Sequence, residues 1–553
     1  MDSKSQTQPK EQIATSSEMT KELATHLALV DRSPTDVEKP ARSRMIEQLK
    51  ISPLHSSKVR ATFEVNNKSE NNENQSEGEE VFPQYGLLGQ RLQTYGYGSE
   101  DIPVGEPVDN LIYTNSNAPW STFICGSQGS GKSHTLSCML ENVLVAPSRT
   151  GKLAKPLTGL VLHYDRFSSI ETGQPCEAAY LCSSGIPVRV LVSPSHYQAM
   201  KKLYENLEGL PEGAPKPVVS KLKFVEKHLS ISMMKTLMAV DSESQEPLYM
   251  EIVTKILREM AQEDGNSSID FNKFKSKLAE QALAPNQKSS LNLRMSLLES
   301  FLEIEQAWGF RRSAKAARSG TARQLDEKWK FNEGSLTIVD LSCPFVNAND
   351  ACALFNICLS VFLEGRGLGN RMIALDEAHK FLVNTNREAN ELTESLFTII
   401  RQQRHLGTRL IIATQEPTLS PKLLDLCDVT IVHRFTSPEW FKALQGHLAG
   451  AVVGISSEER SKFSPNSLFT KIVLLDTGEA LVFSANGVLD ILEPEGNCKR
   501  NSESTGLEHD EHKDEVLVSK DNAFTTWKLG PRYIRMKVRM RTTTDGGRSI
   551  LAK

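Results

Sequence analysis

"STFICGSQGSGKSHTLSCMLENVL", residues 121 to 144, sets the frame for the whole chain. Within it, "GSQGSGKS" at 126–133 matches G-x-x-x-x-G-K-[ST], with a β-rich apolar run before it and a helical pattern after it. That order of strand, glycine-rich turn and helix is what a phosphate cradle needs. The glycines let backbone N–H groups turn toward an anion, and the positive end of the following helix adds to the attraction. Gly126, Ser127, Gln128, Gly129, Ser130, Gly131, Lys132, Ser133 and His134 are therefore expected to line a nucleotide site. Lys132 would reach the β- and γ-phosphates, and the Ser133 hydroxyl would ligate Mg²⁺.

A second stretch, "MIALDEAHKFL" at 372–382, ends an apolar run in Asp376 and Glu377. A carboxylate at a strand tip can hold the Mg²⁺ shell, and the one beside it can take a proton from the attacking water. A third run, "IIATQEP", puts Thr414 and Gln415 at a strand tip, beside the acidic pair if the two strands are neighbours. An amide there can bond both the γ-phosphate and the water. No N-K-x-D sequence for guanine recognition occurs, so ATP with Mg²⁺ is the expected cofactor pair.

Ahead of the third run, "NELTESLFTIIRQQRHLG" reads as a helix with Leu392, Leu396, Ile399 and Ile400 on one side and Gly407 as its stop. Arg401, Arg404 and His405 crowd its last turn. Two readings stand: cations favoured by the negative end of the helix dipole, or an arginine that stabilises transition-state charge on a neighbouring subunit.

Further apolar runs read as strands at 159–164, 188–193, 336–341, 409–414, 429–434, 471–475 and 479–484. Several are apolar on both faces, as buried parallel strands are. The expected class is α/β, a P-loop core on a mostly parallel sheet, in halves at 83–195 and 331–495. Between them, 196–330 reads as a helical insertion with its own small core. In it, Leu248, Ile252, Val253, Ile256, Leu257 and Met260 recur at helical spacing. Residues 1–82 are polar and low in apolar content and are expected to be a disordered tail, with "MIEQL" at 45–49 as a transient helical turn. Residues 496–525 read as an acidic linker. In the final segment, 526–553, "YIRMKVRMR" at 533–541 alternates apolar residues with Arg535, Lys537, Arg539 and Arg541. As a strand this places four cations on one face, either as a charge-protected edge or as a contact for DNA or RNA phosphates or an acidic partner.

Composition bounds the class. The chain has 553 residues, 39% hydrophobic content, a net charge of -4 and nine cysteines without a CxxC pair. This fits reduced thiols and an intracellular protein of cytoplasm or nucleus, with no membrane-length apolar run. The net charge excludes a globally basic nucleic-acid coat.

Taken together, "ICGSQGSGKS", "LTIVDLS", "MIALDEAHKFL", "RHLGTRLIIATQEP", "VTIVHRFTSPEW" and "GEALVFS" resemble the HerA/FtsK superfamily of P-loop ATPases. The similarity covers roughly 120–200 and 330–490, and its most specific part is Arg404, Gly407, Leu410, Ala413, Thr414 and Gln415. The resemblance implies a RecA-like fold, a homo-oligomeric ring such as a hexamer, Gln415 as the γ-phosphate sensor and Arg404 as a finger acting across the interface. The chain departs from it in Glu416, where the family often carries arginine, and in "HYDRF" at 163–167. Two functions follow: an ATP-driven motor on nucleic acid, or an ATPase switch controlling a protein partner yet to be identified. A DEAH-box helicase is excluded by spacing, since "QRHLGTR" begins 24 residues after His379 (403 - 379) in the same domain.

Overall fold

The alternation expected of the apolar runs holds in three dimensions. In a computed structural model of the chain, Phe123, Leu160, Leu162, Ile373, Leu375, Leu410 and Ile412 enter one buried cluster. Their neighbours in sequence, Ile124, Val161, Met372, Ala374, Ile411 and Ala413, enter another. Side chains of period two lie on opposite faces of a sheet, and here both faces are covered. The structure describes residues 41–70, 80–96, 105–166, 173–225, 228, 234, 238, 248–264, 269–281, 283–303, 329–364, 370–382, 387–417, 419–448, 467–492 and 525–544.

The strands, in chain order, are β1 (Leu54–Ser56), β2 (Tyr85–Tyr95), β3 (Leu111–Asn115), β4 (Ser121–Cys125), β5 (Gly151–Lys152), β6 (Thr158–His163), β7 (Val188–Val192) and β8 (Val218–Lys221). After these come β9 (Leu336–Asp340), β10 (Arg371–Asp376), β11 (Thr408–Thr414), β12 (Val429–Val432), β13 (Glu479–Phe483), β14 (Val488–Leu492), β15 (Thr525–Lys528) and β16 (Tyr533–Val538). In space the order β12-β4-β11-β10-β6-β9-β7-β8 is parallel throughout. From β12 the sheet continues antiparallel through β13, β16, β2, β3 and β1.

The helix Lys132–Leu144 buries Leu136, Met139, Leu140 and Val143 against one face. The helices Ala348–Glu364 and Arg387–Arg401 bury Leu354, Phe355, Leu392, Leu396 and Ile399 against the other. Helices on both faces of a parallel sheet make the three-layer α/β core expected.

Four expectations need correction. The insertion has no separate core, because Val253, Ile256, Leu257 and Met260 of the helix Leu248–Asp264 join the same buried cluster as Phe355 and Val339. The run at 471–475 is not a strand. Ser467 caps a helix, Leu468–Val473, by accepting the Thr470 N–H at 3.2 Å, so a satisfied first turn prevails over strand propensity. The tail does not extend to residue 82: β1 pairs with β3, and Val59, Phe63 and Phe82 are buried. His55 stacks on Phe82 with ring centroids 4.2 Å apart, which gives a polar segment an aromatic core to join. Residues 1–40 lie outside the described residues, as does most of the acidic linker.

The fourth correction concerns the basic strand. β16 is no edge, being paired to β13 on one side and β2 on the other. The strand ends at Val538, short of the expected 541; within it Arg535 pairs with Glu479, and beyond its end Arg539 pairs with Glu141 and Arg541 with Glu177. Lys537 remains exposed.

Two compact units emerge, the first holding the described residues 41–50, 492 and 525–526, the second those between 51 and 491 and from 527 to 544. In the first, the "MIEQL" turn lies within the helix Ala41–Ile51. Among the described residues no helix is long and apolar enough to cross a membrane.

The Arg539–Glu141 pair ties the chain's end to the helix after the P-loop. The side chains are 7% and 1% exposed, and Glu141 also accepts from the N–H groups of Thr542 and Thr543. Removing one partner of such a pair strands a buried charge, so Arg539→Ala should lower unfolding free energy by about 3–5 kcal/mol. Urea denaturation at neutral pH measures this, and a loss below about 1 kcal/mol would mean that water reaches Glu141. Burial alone would raise the Glu141 pKa, but Thr543, Arg539 and the backbone donors outweigh it and hold the carboxyl below its usual value of 4.5. Its contribution is therefore full above the unfolded pKa and is lost as pH falls through the lower folded one.

Candidate functional site

The glycine-rich turn at 126–131 lies where the sequence places it, between β4 and the helix Lys132–Leu144. Gly131, at φ 112°, precedes that helix and no side chain caps it, so the first helical N–H groups are open to an anion. Gly126 lies against His433, and a Cβ there would come within 2.6 Å of the histidine Cβ. Only glycine fits this turn. Ser127 donates from N and Oγ to the Arg434 carbonyl at 2.9 and 2.8 Å, and the Ser127 carbonyl accepts from Lys132 Nζ at 3.0 Å. Gln128 and Gly129 are exposed at the tip, and the Ser130 hydroxyl closes the turn onto the Ser127 carbonyl at 2.7 Å. Burial lowers the Lys132 pKa, against the opposing pull of Glu377 and Asp376. The lysine and open N–H groups fit a triphosphate, and the half-buried Ser133 with Asp376 fits its Mg²⁺.

His134 is turned away from this cradle. Its Nε2 lies 2.8 Å from the carbonyl of Arg539, so its side chain serves the contact with the C-terminal segment.

Registry completes the site. β11 lies between β4 and β10, pairing Thr414 with Cys125 on one side and Ile412 with Leu375 on the other. The condition on the third run is therefore met. Gln415 Nε2 donates to both carboxylate oxygens of Glu377, at 3.3 and 3.1 Å. Glu377 holds a left-handed conformation, φ 52°, the one non-glycine residue to do so among those described. Such a backbone persists only where its surroundings enforce it, and it turns the carboxylate out of the strand line toward the amide.

A glycine-rich cradle, an acidic strand tip and an amide-bearing strand between them define the architecture. The core is α/β, with the glycine-rich turn between a central parallel strand and the helix that follows it. His379 braces the acidic tip against the strand that bears the amide. Its Nδ1 accepts the Gln415 backbone N–H at 3.4 Å and lies 3.4 Å from Glu377 Oε2. Burial lowers its pKa against the pull of Glu377, which favours the neutral ring that can accept. Lys380, the next residue, pairs with Asp165 at 3.3 Å, tying the "HYDRF" turn to the acidic loop. At the departure from T-Q-R-P, the Glu416 carbonyl accepts from the Thr414 hydroxyl at 2.9 Å.

Arg404 sits elsewhere. It is exposed in the short helix Gln403–Leu406, whose stop, Gly407, precedes β11. Gln415 follows the opposite end of that strand, and seven extended residues span about 20 Å. Arg404 therefore stands at the far end of β11 from Gln415.

The sequence missed a buried layer beneath the acidic tip. Asp376, His163 and Asp340 are register partners across three adjacent strands, β10, β6 and β9. All three are buried, and Tyr204 donates to Asp340 Oδ2 at 2.5 Å while accepting from the Cys176 N–H at 3.0 Å. Burial would lower the His163 pKa, but Asp340 and Asp376 raise it to about 9. Burial likewise opposes ionisation of Asp376, yet His163, Lys132 and Lys380 hold its pKa below the ordinary value. The available signal was that the runs at 159–164, 336–341 and 372–376 each carry a histidine or aspartate, His163, Asp340 and Asp376, at the fifth position.

No protein-family model matches the chain, and no curated protein does. Among solved structures it is similar to VirB4 of Thermoanaerobacter pseudethanolicus, at 13% identity over 67% of this chain and 88% of that one, with a TM-score of 0.40. It is also similar to the genome packaging NTPase B204 from Sulfolobus turreted icosahedral virus 2 in complex with ATP-gammaS, at 9% identity over 66% and 93%, with a TM-score of 0.26.

Proposed function

We propose that this chain is a Mg²⁺-dependent ATPase of HerA/FtsK type that works as a homo-oligomer and moves nucleic acid. The contact of Gln415 with Glu377 carries the reading, because it joins a γ-phosphate sensor to the residue that activates water. Lys132 offsets phosphate charge, Asp376 and Ser133 hold the metal, and Glu377 accepts a proton from water that Gln415 orients. Mg²⁺, when bound, neutralises charge developing on the phosphates. Arg404, exposed and distant from its own site, suits a neighbour's γ-phosphate, so the ring and the arginine belong to one hypothesis.

A second reading, an ATPase switch that controls a protein partner, is favoured by the internal pairing of Arg535, Arg539 and Arg541. Little of the basic strand is left to meet phosphates.

ATP turnover with and without single- and double-stranded DNA and RNA at low salt, beside mass measurements in ATP and ADP, separates the two. A motor should assemble in ATP and turn over faster with nucleic acid, the gain fading as salt rises. Flat turnover across all four nucleic acids would leave the switch.

A further inference from the structure

We propose that His163, Cys176 and Asp376 form a binding site for a thiophilic divalent cation, Zn²⁺ in the first instance, directly beneath the acidic tip. The site goes beyond the ATPase reading, which uses Asp376 for Mg²⁺ alone. One ligating atom from each residue lies within 4.8 Å of the other two, and all three residues are buried. Asp376 Oδ2 is 3.5 Å from His163 Nδ1 and 3.8 Å from Cys176 Sγ. A tetrahedral zinc ion with bonds of about 2.0–2.3 Å separates its ligand atoms by about 3.4–3.6 Å. Two edges of the tetrahedron are therefore nearly in place, and a small inward movement of Cys176 or His163 closes the third.

An independent observation points the same way. Both ring nitrogens of His163 are buried without a hydrogen-bond partner, although the residue is only 6% exposed. The approach of Nδ1 to Asp376 has ion-pair distance without hydrogen-bond geometry. Nε2 meets no acceptor, and Nδ1 faces only the Asp376 carboxylate at ion-pair distance, where a metal cation would take the place of the ring's proton. The surroundings also supply an outer layer, because Tyr204 links the Cys176 N–H to the Asp340 carboxylate. Such links fix ligand orientation at metal sites. Imidazole with thiolate selects zinc over magnesium, so the site would not simply duplicate the nucleotide's own metal. Three protein ligands leave the fourth position to water. Occupation would draw Asp376 away from Mg²⁺ and silence hydrolysis, a consequence that rests on the ATPase reading.

The test uses the full chain, freed of metal with a zinc-selective chelator and titrated with Co²⁺. One equivalent should produce a thiolate-to-cobalt charge-transfer band that is lost in Cys176→Ser and kept in Cys182→Ser, a control for loss of a buried thiol nearby. His163→Ala should weaken Co²⁺ binding at least about tenfold. Absence of the band, or its survival in Cys176→Ser, overturns the site. Should Cys176→Ser not fold, X-ray absorption of the zinc-loaded wild-type chain decides, since one sulfur at about 2.3 Å with nitrogen and oxygen at about 2.0–2.2 Å is expected and several sulfurs would refute it. Equimolar zinc in excess Mg²⁺ should also suppress ATP turnover, reversibly by chelator. A chain with the cobalt band but no turnover at all would count against the proposed ATPase and leave the metal site standing, whereas full turnover with zinc bound would refute the silencing.

Discussion

Glu377→Gln is expected to lower ATP turnover by about 10²–10⁴-fold while ATP affinity stays within a few-fold of wild type. The substitution keeps side-chain length and the capacity to bond Gln415, but removes the group that takes the proton from water. Lys132→Ala serves as the contrast. It removes the cation from the cradle and should weaken ATP binding itself, because Lys132 is buried and directed into the P-loop. Fluorescent-nucleotide titration together with steady-state turnover separates the two effects. Turnover within tenfold of wild type in Glu377→Gln would remove this residue from the chemistry and shift attention to His379, whose ring touches both Glu377 and Gln415.

Arg404→Ala is expected to cost about 10³–10⁵-fold in turnover, the range found for arginines that stabilise phosphoryl-transfer charge. The strand between Arg404 and Gln415 forbids action within one subunit, so the effect should be reversible by mixing. Arg404→Ala subunits retain Glu377, and Glu377→Gln subunits retain Arg404. Mixed oligomers of these two inactive variants should recover turnover at every interface that joins the intact glutamate to the intact arginine. Arg401→Ala should have a much smaller effect. Equal mixtures that remain inactive, despite exchanging subunits, would show that Arg404 serves only the negative end of its helix.

Much of the site was legible because its parts are short and local. The P-loop is one turn between a strand and a helix, and its glycines carry the backbone geometry in their identity. Asp376, Glu377 and Gln415 each mark where an apolar run stops, and the period-two pattern of those runs places them at strand tips. Arg404 was legible as a helix-end cation, and its distance from Gln415 is set by the length of β11 between them.

The errors have a different character. The run at 471–475 has strand propensity, and a serine cap with a packed helical turn prevailed over it. Residues 54–63 look polar as a composition, yet their few apolar and aromatic residues are buried and His55 stacks on Phe82. The run at 533–541 was read as a strand, and 533–538 is one, but its cations were left to solvent or to an outside phosphate or acidic partner because Glu141, Glu177 and Glu479 lie hundreds of residues or dozens of residues away along the chain.

By itself the sequence determined the P-loop, the acidic tip, the amide that follows, and a parallel α/β core, since each follows from the covalent order of neighbouring residues. Only the tertiary structure decided which strands are adjacent, and with them the contact of Gln415 with Glu377, the internal pairing of the basic strand, and the row of Asp376, His163 and Asp340. Strand order and register are set by packing among segments far apart in the chain, and no local pattern encodes which tip will stand beside which.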